Sequence, residues 1–167
     1  MQPEFIMLVG MPGSGKSTYR TRFTLRWPHF KDFTTLSTDD KVERIAMVKG
    51  STYDAEWADN IKSATSELHE DFQKCIKERR SMLLDRTNLT VKARRGFLAP
   101  LPKAYKKVAI YFEIDEGLRQ QRVAGREGKS IPADAQEDML KRYVRPTLDE
   151  GFDLVLDGVV LSGQVAA

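Results

Sequence analysis

Apolar residues in this chain form two patterns: short runs that end abruptly, and longer stretches where they recur at intervals of three and four. The short runs are Phe5–Val9, Thr34–Ser37, Ser81–Leu84, Val108–Ile114 and Asp153–Leu156, each giving way to a polar residue or glycine. Runs of this length without strict alternation predict strands covered on both faces, as in a parallel sheet. The longer stretches predict helices. Ser17–Arg26 stops short of Pro28, which a helix does not easily pass. Asp54–Arg80 carries Trp57, Ile61, Thr65, Leu68, Phe72, Cys75 and Ile76 along one face. That stripe reads as core, and Cys75 on it as a buried thiol rather than a nucleophile. Val91–Leu98, Glu116–Ala124 and Ala133–Val144 complete the set. Alternating strands and helices predict one α/β domain over residues 1–167, three layers deep, with a mainly parallel five-stranded sheet. Leu161–Ala167 reads as a loosely held terminus.

Between the first strand and the first helix lies Gly10-Met-Pro12-Gly13-Ser14-Gly15-Lys16-Ser17-Thr18, a full G-x-x-x-x-G-K-[ST] motif. Glycines let the backbone curl until successive N–H groups point at phosphate oxygens, and the helix after the loop adds its positive end. In such a P-loop, Lys16 would reach the β- and γ-phosphates of ATP or another nucleoside triphosphate. The Ser17 hydroxyl would ligate Mg²⁺. The loop alone does not separate a kinase from an NTPase.

Two acids, Asp39 and Asp40, come after the second strand, at the edge where open parallel sheets bind ligands. Phosphoryl transfer to a hydroxyl needs a carboxylate there to orient the nucleophile and take its proton, and Asp39 is the candidate. The alternative is helix capping. Asp40 with Glu43 three residues on has the form of a capping box ahead of Val42–Val48, and both readings can hold at once.

The third strand ends at Asp85, which would hold a Mg²⁺-bound water or position the acceptor. Asp85-Arg86-Thr87-Asn88 is then either part of an acceptor site or a loop with Asx-turn chemistry. Arg94 and Arg95 behind it are either acceptor contacts or a solvated helix face. Further on, Arg119, Arg122, Arg126 and Lys129 lead to Pro132 through a stretch holding Gly125 and Gly128. Arg122 and Arg126 share a helical face if the helix runs that far. The segment 122–132 reads as a basic lid that would neutralise charge on the phosphoryl group and exclude water; the plain alternative is a solvated charge run.

Composition narrows the picture little. Formal charge is +3, which an ATP site alone would account for. A single cysteine excludes an intrachain disulfide and favours a cytoplasmic setting, the host cytoplasm for a phage-encoded chain. One cysteine with His29 and His69 makes no four-ligand zinc pattern, and neither histidine carries a partner pattern. No apolar run approaches the length of a membrane span, so no membrane partner is expected. Trp27 and Tyr143 are each read as packing in preference to stacking on a base.

Taken in order, these motifs resemble the 5′-kinase domain of the phage-type polynucleotide kinases. The resemblance spans Phe5 to Asp157 and rests on Gly10–Thr18, Ser37-Thr-Asp39-Asp40, Asp85-Arg-Thr87-Asn88-Leu89, and Arg122…Arg126…Ile131-Pro132. It implies ATP on the first motif, Asp39 as general base, and Arg126, with Arg122 beside it, on the reacting phosphates. The implied acceptor is the 5′-hydroxyl of DNA or RNA, met through Arg86, Arg94, Arg95 and the lid. Two departures stand out. Val42 occupies the place of an arginine that in that family helps hold the acceptor. The chain also lacks a D-x-D-x-T motif, so no phosphatase activity is expected. Two other readings are a small-molecule kinase of the zeta-toxin-like type and a nucleotide-binding adaptor without catalysis.

Overall fold

The computed structural model describes residues 2–26, 32–159 and 161. Its strands are β1 (Glu4–Gly10), β2 (Thr34–Leu36), β3 (Met82–Asp85), β4 (Lys106–Phe112) and β5 (Leu154–Asp157). Its helices are α1 (Lys16–Arg26), α2 (Thr38–Lys49), α3 (Tyr53–Lys77), α4 (Val91–Leu98), α5 (Glu116–Ala124) and α6 (Ala133–Arg142). All four strand pairings are parallel, in the order β2-β3-β1-β4-β5. The carboxyl ends of the strands therefore share one edge. Among the described residues no helix is long and apolar enough to cross a membrane.

Alternation along β1 builds two cores. Phe5, Met7 and Val9 join Leu68, Phe72 and Cys75 of α3 and Phe97 and Leu98 of α4 on one face. Ile6 and Leu8 turn the other way, to Tyr19 of α1 and to Val108, Ile110 and Phe112 of β4. Both faces of the sheet are covered, which is why β1 and β3 are apolar between their ends and β4 from Val108 on. Aromatic edges fix the first core: Phe72 meets Phe5 at 5.9 Å and Phe97 at 5.2 Å between ring centres, both near T-shaped. Cys75 lies buried in that core, as its stripe predicts. Tyr143 packs against the same core and gives its hydroxyl to Glu113 at 2.7 Å. His69 stacks on the Phe97 ring. Trp27, His29 and residues 162–167 lie outside the described residues.

Four local expectations need correction. Trp57 is 45% exposed, because the first turns of α3 run past the sheet before the stripe reaches the core at Ala64. Asp40 is not a cap: Ser37 caps α2, its hydroxyl accepting from the Asp40 N–H at 3.1 Å, which leaves both acids in the first turn. α6 ends at Arg142, two residues early, with Tyr143 extended and Pro146 ahead.

The fourth concerns Arg94, which is neither a solvated face nor available to an acceptor. It is fully buried, with two nitrogens on Glu150 at 2.6 and 2.7 Å. Its remaining nitrogen donates to the Asn88 and Val144 carbonyls at 2.9 Å each. An arginine at this depth is tolerated only because its partners replace water. The pair ties the loop after β3 to the approach to β5.

Truncating one partner would strand the other charge. Arg94→Met should therefore cost about 3–5 kcal/mol of unfolding free energy in denaturant titration. A loss below about 1 kcal/mol would show that the pair does not hold these segments together.

Candidate active site

The phosphate loop is held open from outside. The Gly10 N–H donates to the Thr87 carbonyl at 3.0 Å, and the Asn88 side-chain amide donates to Leu8 at 2.7 Å. Gly13 has φ +82, and a β-carbon there would come within 2.7 Å of Val123 and 3.0 Å of the Arg119 carbonyl, so the loop lies flat on α5. Arg119, 3% exposed, donates to the Pro12 carbonyl at 3.2 Å while also gripping Glu116 and Gln136. Arg122 stands over the loop, its guanidinium 3.6 Å from where a β-carbon on Gly15 would lie.

Lys16 is 8% exposed and donates to the Gly10 and Met11 carbonyls at 2.8 Å each. Burial lowers its pKa to about 8 against the pull of Asp85 and Asp39, with Arg126 and Lys129 lowering it further. Asp85, at the end of β3, is 9% exposed, and burial raises its pKa although Arg20 and Lys16 oppose the rise. Arg20 comes from α1, one turn past Lys16. It meets Asp85 at 3.0 Å and Asp40 at 2.9 Å, so Asp40 serves to hold Arg20.

Asp39 lies half-exposed in the first turn of α2. Burial would raise its pKa, but the Lys129 ammonium and hydrogen bonds from Lys129 and Tyr53 outweigh that and hold it below the usual carboxylate range. Tyr53 donates to Oδ1 at 3.0 Å, and Lys129 approaches Oδ2 to 2.7 Å. Partial burial lowers the Arg86 pKa, with Asp39 acting against it. Among the described residues Arg86 forms no ion pair.

Of the expected acceptor residues, Asn88 gives its side chain to the scaffold and Thr87 its main-chain carbonyl. The Asn88 amide is spent on the Leu8 and Arg86 carbonyls, in the left-handed conformation (φ +50) that a tight turn asks of asparagine. Thr87 supplies the carbonyl that holds Gly10. Val42 is fully buried, so that position faces the core and not the site.

The basic segment differs from a helical arginine pair. α5 ends at Ala124, so Arg126 lies beyond it, off the helical face of Arg122. Its charge nevertheless acts on both Lys16 and Asp39. The loop then docks across the site. Gly128 accepts from the Asp54 N–H at 3.1 Å, and Ser130 binds the Asp54 carboxylate through N–H and hydroxyl at 2.9–3.0 Å. Behind it a cleft of about 560 Å³ opens between α5 and α6, lined by Val123, Arg126, Ile131, Gln136 and Leu140 among others.

These residues fit a nucleoside triphosphate. The buried Ser14 hydroxyl has no hydrogen-bond partner and sits inside the loop, where a phosphate oxygen would supply one. Among the described residues no cluster of three metal-ligating side chains exists. Mg²⁺ would therefore rest on the exposed Ser17 hydroxyl, phosphate oxygens and water, with Asp85 reaching it through water. The ion would neutralise charge on the β- and γ-oxygens.

Sequence reasoning passed over Arg20 and Tyr53 as site builders, and placed Arg119 and Lys129 in the basic run without their partners. Arg20 had a signal, since it lies at i+4 from Lys16 and so on the same helix face. Tyr53 and Lys129 had none for this pairing, being 76 residues apart and brought together only at Asp39 and at the Tyr53 ring itself.

Fold and loop together define a P-loop protein of kinase-like architecture. The family model described as an AAA domain matches residues 5–157, and the chain belongs to that family. Its fold is similar to that of a candidate kinase from Chloroflexus aurantiacus j-10-fl, at 17% identity over 99% of this chain and 94% of the other, with TM-score 0.69. It is similar also to shikimate kinase from Acinetobacter baumannii in complex with shikimate, at 16% identity, 98% and 90% coverage and TM-score 0.57. A third likeness is to a chain of a Pnkp1/Rnl/Hen1 complex, at 17% identity, covering 78% of this chain and 41% of that one, with TM-score 0.54.

The depressed Lys16 pKa gives nucleotide binding a pH signature. Free Lys16 loses its proton as pH rises through about 8, and a bound phosphate raises that pKa, so binding above it must take up a proton. Calorimetry in buffers of different ionisation enthalpy should find uptake at about pH 8.5 and little at about pH 6.5. Affinity should fall by up to roughly tenfold per pH unit above 8, and a flat profile would contradict the buried-lysine account.

Proposed function

We propose that this chain transfers the γ-phosphoryl group of ATP to a hydroxyl, with Asp39 as general base and the 5′-hydroxyl of a polynucleotide as acceptor. The observation that carries the reading is the Asp39 carboxylate, set in the first turn after β2 at the carboxyl edge of the sheet and held by Tyr53 at 3.0 Å and Lys129 at 2.7 Å. In the reaction the acceptor oxygen bonds to the γ-phosphorus while the bond to the β–γ bridging oxygen breaks. The hydroxyl proton passes to Asp39, and ADP leaves. Lys16, the loop amides and Arg126 oppose the charge that spreads over the phosphoryl oxygens, with Arg122 beside them. Arg86 would meet the phosphodiester next to a 5′-terminal nucleoside, the task for which Val42 is unsuited. The work is done within a single domain.

A second reading, a small hydroxylated acceptor, is favoured by particular residues. Arg94 is withdrawn from any nucleic-acid track, Val42 is in the core, and the lid docks on α3. That geometry suits a compact acceptor.

Incubation with labelled ATP and a 5′-hydroxyl oligonucleotide separates the two. Transfer that drops about 10²–10⁴-fold in Asp39→Asn supports the base, and a KM for the oligonucleotide that rises in Arg86→Ala and with added salt supports the polynucleotide. Label reaching only a small polyol, with no salt effect, would replace the first acceptor by the second. Nucleotide binding without transfer to either would leave the adaptor reading.

A further inference from the structure

Asp39 is asked to receive a proton, yet in the structure each of its oxygens already has a partner. Tyr53 reaches Oδ1 from the first residue of α3, and burial together with Asp39 raises the Tyr53 pKa, so its hydroxyl stays a donor. Lys129 reaches Oδ2 from the lid, and a proton arriving there would meet an ammonium at 2.7 Å. Lys129 has a second carboxylate, Glu43, one turn further along α2 at 2.8 Å. Its nitrogen also lies 4.2 Å from the centre of the Tyr53 ring. Three groups, two from α2 and one from α3, thus meet around one ammonium from the lid that has two anions to choose between. The other charges acting on Asp39 are Arg126 from the lid, Lys16 from α1, Arg86 from the loop after β3, and Asp85.

We propose that Lys129 is a movable positioning residue for Asp39: an incoming acceptor hydroxyl takes its place at Oδ2, and the ammonium shifts wholly onto Glu43. This rests on the kinase reading above. Tyr53 keeps Oδ1 fixed, so the carboxylate holds its orientation through the exchange. The lid is pinned nearby by Asp54, which confines Lys129 to a short movement between its two partners. Until the acceptor arrives, Asp39 is a weak base, so water is a poor substitute nucleophile and idle ATP hydrolysis stays low.

The exchange makes Glu43 and Lys129 act on the acceptor in opposite senses. Lys129→Met removes the competitor, so the acceptor KM should fall, while Glu43→Gln leaves Lys129 only Asp39 and should raise it. The size should be roughly two- to fivefold each way, the span of a half-exposed ion pair. Acceptor-independent ATP hydrolysis should rise in Lys129→Met, and Lys129→Arg should stay close to wild type.

A readout independent of activity is the midpoint of the Asp39 side-chain carboxyl resonance on NMR titration. Lys129→Met should move it up by about half to one pH unit, because the neighbouring positive charge is gone. A KM that rises in both variants, as damage to packing would cause, overturns the proposal. So does an unmoved midpoint while transfer by the wild type is intact, and in that case the kinase reading stands. Failure of the wild type to phosphorylate any hydroxyl acceptor overturns both together.

Discussion

Strand β1 is buried on both faces, and that burial sets the positions of the other elements. A backbone with a core on each side can leave the sheet only at its ends, and at its carboxyl end it must satisfy its polar groups without more strand. Gly10 does so by bonding to Thr87, and the chain then curls over α5 into the N-terminus of α1. Because every strand is parallel, Asp39, Asp85 and the start of α5 emerge at the same edge as that curl. The clustering of charge there is a consequence of the topology, before any chemistry is asked of it.

What the cluster holds is a set of charges kept out of water by one another. Lys16 is desolvated and loses basicity; Asp85 is desolvated and loses acidity; Arg20 bridges Asp85 to Asp40. A triphosphate entering such a place meets donors that need little reorganisation, the condition under which electrostatic stabilisation of a transferring group is strongest. The buried Ser14 hydroxyl without a partner belongs to the same arrangement.

Arginines illustrate how far residue type underdetermines role. Arg94 and Arg95 are neighbours on one helix, yet one is fully buried on Glu150 and the other is exposed. Arg119, Arg122 and Arg126 lie on one short stretch. The first braces the loop from behind, the second stands over it, and the third acts on Lys16 and Asp39 from beyond the helix end. Charge patterning marks such a segment as basic but does not say which way each side chain faces, since that depends on where the helix stops and what it packs against.

By itself the sequence determined the fold class, the order and approximate bounds of the strands, the phosphate loop and the placement of Asp39 after β2. Each of these is encoded locally: apolar runs need burial, glycines permit the curl, and the end of a strand fixes where the next residues must lie. Tertiary structure decided the rest. Ser37 and not Asp40 caps α2, because the helix begins at Thr38, and Arg20 of α1 takes the Asp40 carboxylate instead. Asn88 was legible as a turn residue, but its bond to Leu8 joins positions 80 apart. The pairing of Lys129 with Asp39 and Glu43 spans 90 and 86 residues, and no spacing rule reaches that far. Contacts of this kind exist only after the core has formed, because it is the packing of α3 on the sheet, of α2 on α3 and of the lid on α3 that sets the distances between their charges.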